Sequence, residues 1–316
     1  MEGDFAFIGL GVMGYAMAGN IRKKIPPTTT LFINDIYQPS CDRFVAEFQN
    51  FGPIVVAASA REAAANSKVL ISIIPDAKDV RKVYLDEHDG VVAAPSDPQR
   101  LMIECSTIDA KSTIEVGNFL KHANAGIYVD APVSGGVPGA LAGTLAFLVG
   151  HKPPVPEENQ SNKIASVIAL MGDPKKFFYC GKLGAGLAAK ISNNYLSCTV
   201  LLATAEAMAI GIKSGIDKKL LYDVIHNSTG QSWMLDNVCP VPGVIDHVPS
   251  SNNYQPGFKS QMMIKDVTLG IEAGKETGID PTMAQAALEV YKRAAVDPQC
   301  ADRDGSSVYL HIGGPV

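Results

Sequence analysis

A chain of 316 residues is too long for one ordinary hydrophobic core and predicts two domains. With 47% hydrophobic and 19% charged residues it has ample core material; a net charge of −5 and no lysine or arginine run exclude nucleic acid and anionic membrane as expected partners. No apolar run reaches the roughly 18 residues of a membrane span.

Met1-Glu2-Gly3-Asp4 leads straight into Phe5-Ala6-Phe7-Ile8, a short apolar run with the look of a buried parallel strand. It is not preceded by a secretory apolar region or an arginine-rich presequence, so the expected compartment is the cytoplasm if Met1 is the native start. Gly9-Leu10-Gly11-Val12-Met13-Gly14 follows, and Tyr15 to Lys24 reads as a helix. G-x-G-x-x-G by itself is a weak signal, but here a strand precedes it and a helix follows. A second apolar run, Leu31-Phe32-Ile33, ends at Asn34-Asp35, and Asp35 lies 21 residues past Gly14 (35 − 14). A dinucleotide-binding fold places its ribose-binding acid at about that distance. The glycines permit a tight turn and bring a helix N-terminus up to the pyrophosphate. An aspartate accepts hydrogen bonds from free ribose hydroxyls and repels a 2′-phosphate, so NAD is expected rather than NADP.

The alternation continues. Cys41 to Phe51 predicts a helix, Ile54 to Val56 a strand, Ala60 to Ala65 a helix, and Val69 to Ile74 a strand stopped by Pro75. Asp79 to Leu85 is helical, Leu101 to Cys105 a strand ending at Ser106-Thr107, Lys111 to Asn124 a helix, and Ile127 to Asp130 a strand. This order predicts a doubly wound sheet with right-handed crossovers, in which hydroxyls at the carboxyl ends of strands face the ligand crevice. Ala131-Pro132-Val133-Ser134-Gly135-Gly136 then offers a hydroxyl and unobstructed glycine N–H groups. It reads either as a turn or as a nest for a carboxylate. Leu145 to Val149 is a strand, His151 to Lys163 an exposed loop, Ile164 to Met171 a helix, and Lys176 to Cys180 a last strand.

Leu187 to Ile210 runs 24 residues without glycine or proline, one helix roughly 36 Å long that ends near residue 212. Its only formal charges are Lys190 and Glu206, and a helix apolar on all sides is normally buried. Asn194 shares a face with Lys190. Burial and the positive helix end both push a lysine pKa down; the alternative is that Lys190 snorkels to water at the element end. Beyond Gly211, Lys218 to Asn227, Lys259 to Thr277 and Thr282 to Ala295 read as helices, with an ordered loop over Val238 to Pro256 and no convincing strand. The six cysteines have no C-x-x-C spacing and read as reduced core residues. The six histidines lack ligand spacing, so no metal site is expected. The expected architecture is α/β: a Rossmann-type doubly wound domain over residues 1–183, then an all-α domain over 184–316, joined by the long helix.

Taken together, Phe7 to Gly14, Ser106-Thr107-Ile108-Asp109, Asp130 to Gly136, Gly186-Leu187-Ala188-Ala189-Lys190 with Asn193-Asn194, and Gly257-Phe258 with Lys265-Asp266 resemble the 3-hydroxyisobutyrate dehydrogenase family of β-hydroxyacid dehydrogenases. Pro240-Val241-Pro242-Gly243-Val244 and Ser251-Asn252-Asn253-Tyr254 resemble its animal members in particular. The resemblance implies NAD-dependent oxidation of 3-hydroxyisobutyrate to methylmalonate semialdehyde, in valine catabolism, with Lys190 as the catalytic residue. It implies Ser134, Gly135, Gly136, Asn194 and Phe258 on the substrate side. Gly9, Leu10, Gly11, Val12, Met13, Gly14, Asp35, Ile74, Pro75, Thr107 and Lys265 would hold the NAD, with Asp79 at its rim where relatives often carry a small amide. It further implies a homodimer or homotetramer and a mitochondrial setting. The chain departs from the family in the length of its 151–163 loop and in the ending His311 to Val316.

The chemistry agrees with those residue types. Alcohol oxidation needs a proton removed as hydride leaves, and a buried lysine can take it, worth about 10² to 10⁴ in rate. A sibling acting on another small 3-hydroxy acid, such as a tartronate semialdehyde reductase, shares every motif. A 6-phosphogluconate dehydrogenase would need a longer helical domain and clustered basic residues. A non-catalytic scaffold of the same fold would have had no need to keep Lys190 with Asn194.

Overall fold

The computed structural model describes residues 3–155 and 159–316. Its contacts divide the chain into two units, Met1–Lys190 and Ile191–Val316.

In the first unit β1 (Phe5–Ile8), α1 (Val12–Lys24), β2 (Leu31–Asn34), α2 (Gln38–Phe48), β3 (Ile54–Val56), α3 (Ala60–Ala65), β4 (Val69–Ser72), α4 (Ala77–Leu85), β5 (Leu101–Glu104), α5 (Ala110–His122) and β6 (Ile127–Asp130) alternate. The strands form a six-stranded parallel sheet in the order β3-β2-β1-β4-β5-β6. Strand order reverses between β1 and β4, and in such sheets ligands bind outside the carboxyl ends at that switch point. The strands are apolar at nearly every position because helices cover both faces. Phe5, Phe7, Leu31, Ile33, Val69, Ile71, Leu101 and Ile103 pack one way, against Met17 and Ile21 of α1 and Phe44 and Phe48 of α2. Ala6, Ile8, Leu70, Met102 and Tyr128 pack the other way, against Ala63, Val80, Tyr84, Val116 and Leu120 of α3 to α5. This is the period-two alternation of a strand, and each large side chain so buried contributes about 1.5–3 kcal/mol.

A second, three-stranded sheet follows, built from β7 (Val133–Ser134), β8 (Leu145–Val149) and β9 (Gly172–Tyr179), with α6 (Gly136–Ala142) and α7 (Asn159–Ile168) between them. β7 is antiparallel to β8, and β9 is parallel to it.

Several boundaries differ from expectation. α1 begins at Val12, inside the glycine motif, because Gly11 serves as its N-cap. β4 stops at Ser72, since Ile74 gives its N–H to the Ser106 hydroxyl at 2.7 Å instead of to a ladder. The stretch Ala131 to Gly136, expected as a turn or a nest, contains β7 and the first residue of α6, two elements too short to show a period. β9 starts at Gly172, four residues before Lys176. α7 starts at Asn159, inside the expected 151–163 loop, whose residues 156–158 lie outside the described ones. This helix buries Ile164, Val167 and Ile168, one apolar face that the proline-containing stretch before it obscures.

α8 (Ala185–Lys213) contains the boundary between the units, which falls after Lys190. The second unit then carries α9 (Lys218–His226), α10 (Trp233–Val238), α11 (Ser260–Glu276) and α12 (Thr282–Val296), with no strand among its described residues. α10 was not expected; Ser232 caps it by accepting the Leu235 N–H at 3.1 Å. Cys198, Leu201, Leu202, Ala205 and Met208 of α8 enter this unit's core with Met263, Val267, Ile271, Ala287 and Tyr291 of α11 and α12. By length and composition alone α8 is long and apolar enough to cross a membrane. Those packed side chains give its apolar character a core role.

Candidate functional site

The glycine loop lies at the switch point. Gly9 has φ +94°, and a Cβ there would stand 2.2 Å from the Ile73 carbonyl oxygen. At Gly14 a Cβ would stand 2.0 Å from the Gly9 carbonyl oxygen, so the third glycine is what lets α1 approach the loop. Gly11 is different: a Cβ there meets no protein atom within 4 Å. The α1 N-terminus has no side-chain cap and no acid in its first turn. Exposed amides at an uncapped helix start form an anion site, and this one fits a pyrophosphate. Leu10 is buried, Val12 exposed and Met13 partly buried.

Asp35, just past β2, accepts the Leu10 N–H at 2.5 Å on one carboxylate oxygen and the Tyr37 N–H at 2.7 Å on the other. It therefore ties the glycine loop to the end of β2. Ile74 and Pro75 follow β4; Ile74 is buried and Pro75 exposed. Thr107, partly buried, follows β5. Asp79 stands partly buried in the first turn of α4, its N–H bonded to the Asp76 cap at 3.0 Å. These positions lie in loops or first turns that follow sheet strands.

Behind them is a polar cluster not foreseen from sequence. The Ser106 hydroxyl accepts the Ile74 N–H and donates to Glu104 Oε1, which also accepts the Ser106 N–H at 2.9 Å. Ser72 Oγ contacts the Tyr84 hydroxyl at 2.7 Å and donates to Glu104 Oε1 at 3.4 Å. Glu104 Oε2 has no hydrogen-bond partner among the described residues. Burial pushes the Glu104 carboxyl up to about 7, with the neighbouring Asp130 charge acting the same way. Burial likewise raises Tyr84 and Tyr128.

Ser134 ends β7, partly buried, and Gly135 and Gly136 follow it exposed, with φ of +129° and +60°. Consecutive left-handed glycines at the start of α6 leave two amides unobstructed by side chains, a geometry suited to a carboxylate. Lys190 lies in the second turn of α8, within the first unit, and is 8% exposed.

In the second unit Asn194, also 8% exposed, donates through Nδ2 to Asp266 of α11 at 2.5 Å and accepts from the Asn193 amide at 3.1 Å. Phe258 is 38% exposed, its N–H held by Asp304 at 2.9 Å. Lys265 is partly buried on α11. No local pattern marks Asp266, because it meets Asn194 from 72 residues away. No group of three or more His, Cys, Asp or Glu side chains among the described residues is arranged to hold a metal ion.

Residues 4–186 match the model of the NAD-binding domain of 6-phosphogluconate dehydrogenase. Residues 184–312 match that of the NAD-binding domain of NADP-dependent 3-hydroxyisobutyrate dehydrogenase. The chain is 37% identical over 305 residues to an NAD-dependent L-serine dehydrogenase of Pseudomonas aeruginosa, covering 96% of both chains. It is 36% identical over 306 residues to the mitochondrial 3-hydroxyisobutyrate dehydrogenase of Rattus norvegicus, covering 97% of this chain and 86% of that one. Among solved structures, the Mycobacterium tuberculosis 3-hydroxyisobutyrate dehydrogenase with L-serine superposes with a TM-score of 0.85 at 33% identity, over 99% of this chain and 100% of that one.

Proposed function

The chain belongs to the β-hydroxyacid dehydrogenase family of NAD-dependent oxidoreductases, and within that family we propose that it oxidises 3-hydroxyisobutyrate to methylmalonate semialdehyde, with NAD as acceptor and Lys190 as general acid/base. The observation that carries the catalytic part is Lys190 itself, an amine 8% exposed in the second turn of a long, largely apolar helix. A buried ammonium is costly unless something uses it. The nicotinamide, when bound, supplies the redox chemistry by accepting hydride from the alcohol carbon.

The chain's own residues do the rest. The α1 N-terminus and the space beside Gly11 take the pyrophosphate, and Asp35 takes the ribose hydroxyls. The Gly135 and Gly136 amides with Ser134 hold the substrate carboxylate, which orients the reacting carbon. Lys190 accepts the hydroxyl proton. Asn194, one helical turn further along α8, donates a hydrogen bond to the substrate. Positioning of this kind is worth on the order of 7–11 kcal/mol at best.

Two segments support the 3-hydroxyisobutyrate assignment. Pro240–Val244 and Ser251–Tyr254, the pieces resembling animal 3-hydroxyisobutyrate enzymes, are joined by bonds from Tyr254 OH to the Pro240 carbonyl (2.8 Å) and from Gly243 N–H to Ser251 Oγ (3.0 Å). A mitochondrial setting, a part in valine catabolism and assembly as a homodimer or homotetramer belong to the same reading. L-serine is the second reading: it is also a 3-hydroxy acid, and the Pseudomonas aeruginosa relative is an L-serine dehydrogenase.

Steady-state kinetics over a panel of 3-hydroxy acids decides between them. 3-Hydroxyisobutyrate should give the highest kcat/KM; a clear win for L-serine, D-glycerate or 6-phosphogluconate overturns the substrate assignment. Lys190→Ala should abolish turnover with NAD affinity nearly intact, and comparable activity in that variant rules out the general-base role.

A further inference from the structure

Asp130 closes β6 and is 0% exposed. Its side chain turns away from the ladder to the start of α8. Oδ1 accepts the Gly184 N–H at 2.8 Å and Oδ2 accepts the Leu187 N–H at 2.9 Å. These are two of the amides that a helix start leaves unpaired, and a carboxylate is the strongest side-chain acceptor for them. The cap is unusual in coming from a strand 54 residues earlier rather than from the helix's own leading residue. It is also held in a fitted space. A Cβ at Gly150 would stand 1.8 Å from Asp130 Oδ1, and one at Gly186 would stand 2.9 Å from Oδ2 and 2.2 Å from the Leu148 carbonyl oxygen. Gly150 also donates its N–H to the Asp130 carbonyl at 2.7 Å. Side-chain and backbone contacts thus fix this carboxylate, and the carboxylate fixes the first turn of α8.

Lys190 stands three residues after Leu187, the next step along the same helix face. We propose that Asp130 is a positioning residue for Lys190, setting the rotation and height of α8 at its N-terminus and so the place from which the amine works. This rests on the reading of Lys190 as the general base. Asp130 has a second effect, electrostatic: its negative charge offsets the positive helix end beside a lysine that must carry a proton in one half of the cycle. The other titratable groups that feel this charge are Glu104, its register partner on β5, Tyr128 on β6 itself and Cys180 just past β9.

The test uses the intact enzyme with NAD and its best hydroxy-acid substrate. In Asp130→Asn, kcat should fall about 10²-fold while KM for substrate and Kd for NAD stay within about three-fold, because a displacement of about 1 Å penalises only the reacting geometry. In parallel, lysines are labelled with acetic anhydride and Lys190 is followed by mass spectrometry against the exposed Lys78 in the same sample. The Lys190 labelling rate should rise several-fold relative to Lys78, since loosening the turn exposes the amine and losing the charge favours its neutral form. Gly150→Ala provides an independent route: it keeps the charge but forces the carboxylate off the amides, and should give the same loss of kcat even if Asp130→Asn does not fold. Wild-type kcat with unchanged Lys190 labelling in either folded variant overturns the proposal. The labelling arm does not depend on turnover, so an active Lys190→Ala enzyme would sink the general-base reading while leaving this structural claim to be judged by the labelling.

Discussion

Glu104 and Asp130 are register partners on β5 and β6, two buried carboxyl groups side by side, and they are satisfied differently. Asp130 receives backbone N–H groups on both oxygens, whereas Glu104 receives Ser106 and Ser72 on one oxygen and has no partner among the described residues on the other. Amide donors favour the ionised form and burial disfavours it. The proton of the pair accordingly belongs on Glu104.

This makes stability pH-dependent. Glu104 titrates at about 7 in the fold against an ordinary 4.5. Between those values the folded protein keeps a proton that the unfolded chain has released, so this contribution is fully present below the unfolded value and is lost as pH rises through the folded one. The loss is about 3 kcal/mol at 1.36 kcal/mol per unit. Glu104→Gln should flatten the fall in melting temperature between pH 5 and pH 8 (roughly that window) and melt higher than wild type at the alkaline end. A wild-type slope in the variant removes Glu104 as the titrating group.

The glycine loop offers a paired test. Gly14→Ala places a methyl group 2.0 Å from the Gly9 carbonyl oxygen, a backbone atom that cannot rotate away. It should cost at least ~3 kcal/mol and abolish NAD binding, as measured by denaturant unfolding and NADH fluorescence. Gly11→Ala meets no protein atom within 4 Å and has an ordinary φ of −64°, so its melting temperature should hold within about 2 °C. Its NAD affinity should fall about ten-fold or more, because the methyl group would occupy the space proposed for the pyrophosphate. Equal NAD affinity in Gly11→Ala would show that the dinucleotide takes another path.

Asp35 is the residue proposed to set cofactor choice. Asp35→Ala should narrow the ratio of kcat/KM for NAD over NADP, by removing the charge that repels a 2′-phosphate. It should also weaken NAD itself, since Asp35 holds the Leu10 amide. An unchanged ratio takes Asp35 out of the ribose site.

Asn194 provides a readout on the substrate side. Asn194→Ala removes the donor to Asp266 and the proposed donor to substrate. A hydrogen bond to a charged group is worth about 1.5–3 kcal/mol, which predicts roughly a ten- to hundred-fold loss in kcat/KM for the hydroxy acid with NAD affinity unchanged. Parallel loss of both affinities would point to general unfolding instead.

Local sequence pattern already gives the parallel sheet and its helices, because apolar runs such as Val69 to Ser72 and the Gly9–Gly14 spacing can be recognised without any partner segment. It likewise singled out Lys190, since a charge in an apolar helix stands out in one dimension. What it could not determine was the work of Glu104, Ser106, Asp130 and Asp266. Each is an ordinary residue locally and acquires its role from a strand end or helix that the fold brings beside it; Asp130 meets the start of α8 54 residues later, and Asp266 meets Asn194 across 72. Hydrogen bonds between distant segments depend on register and topology, which exist only once the chain has folded.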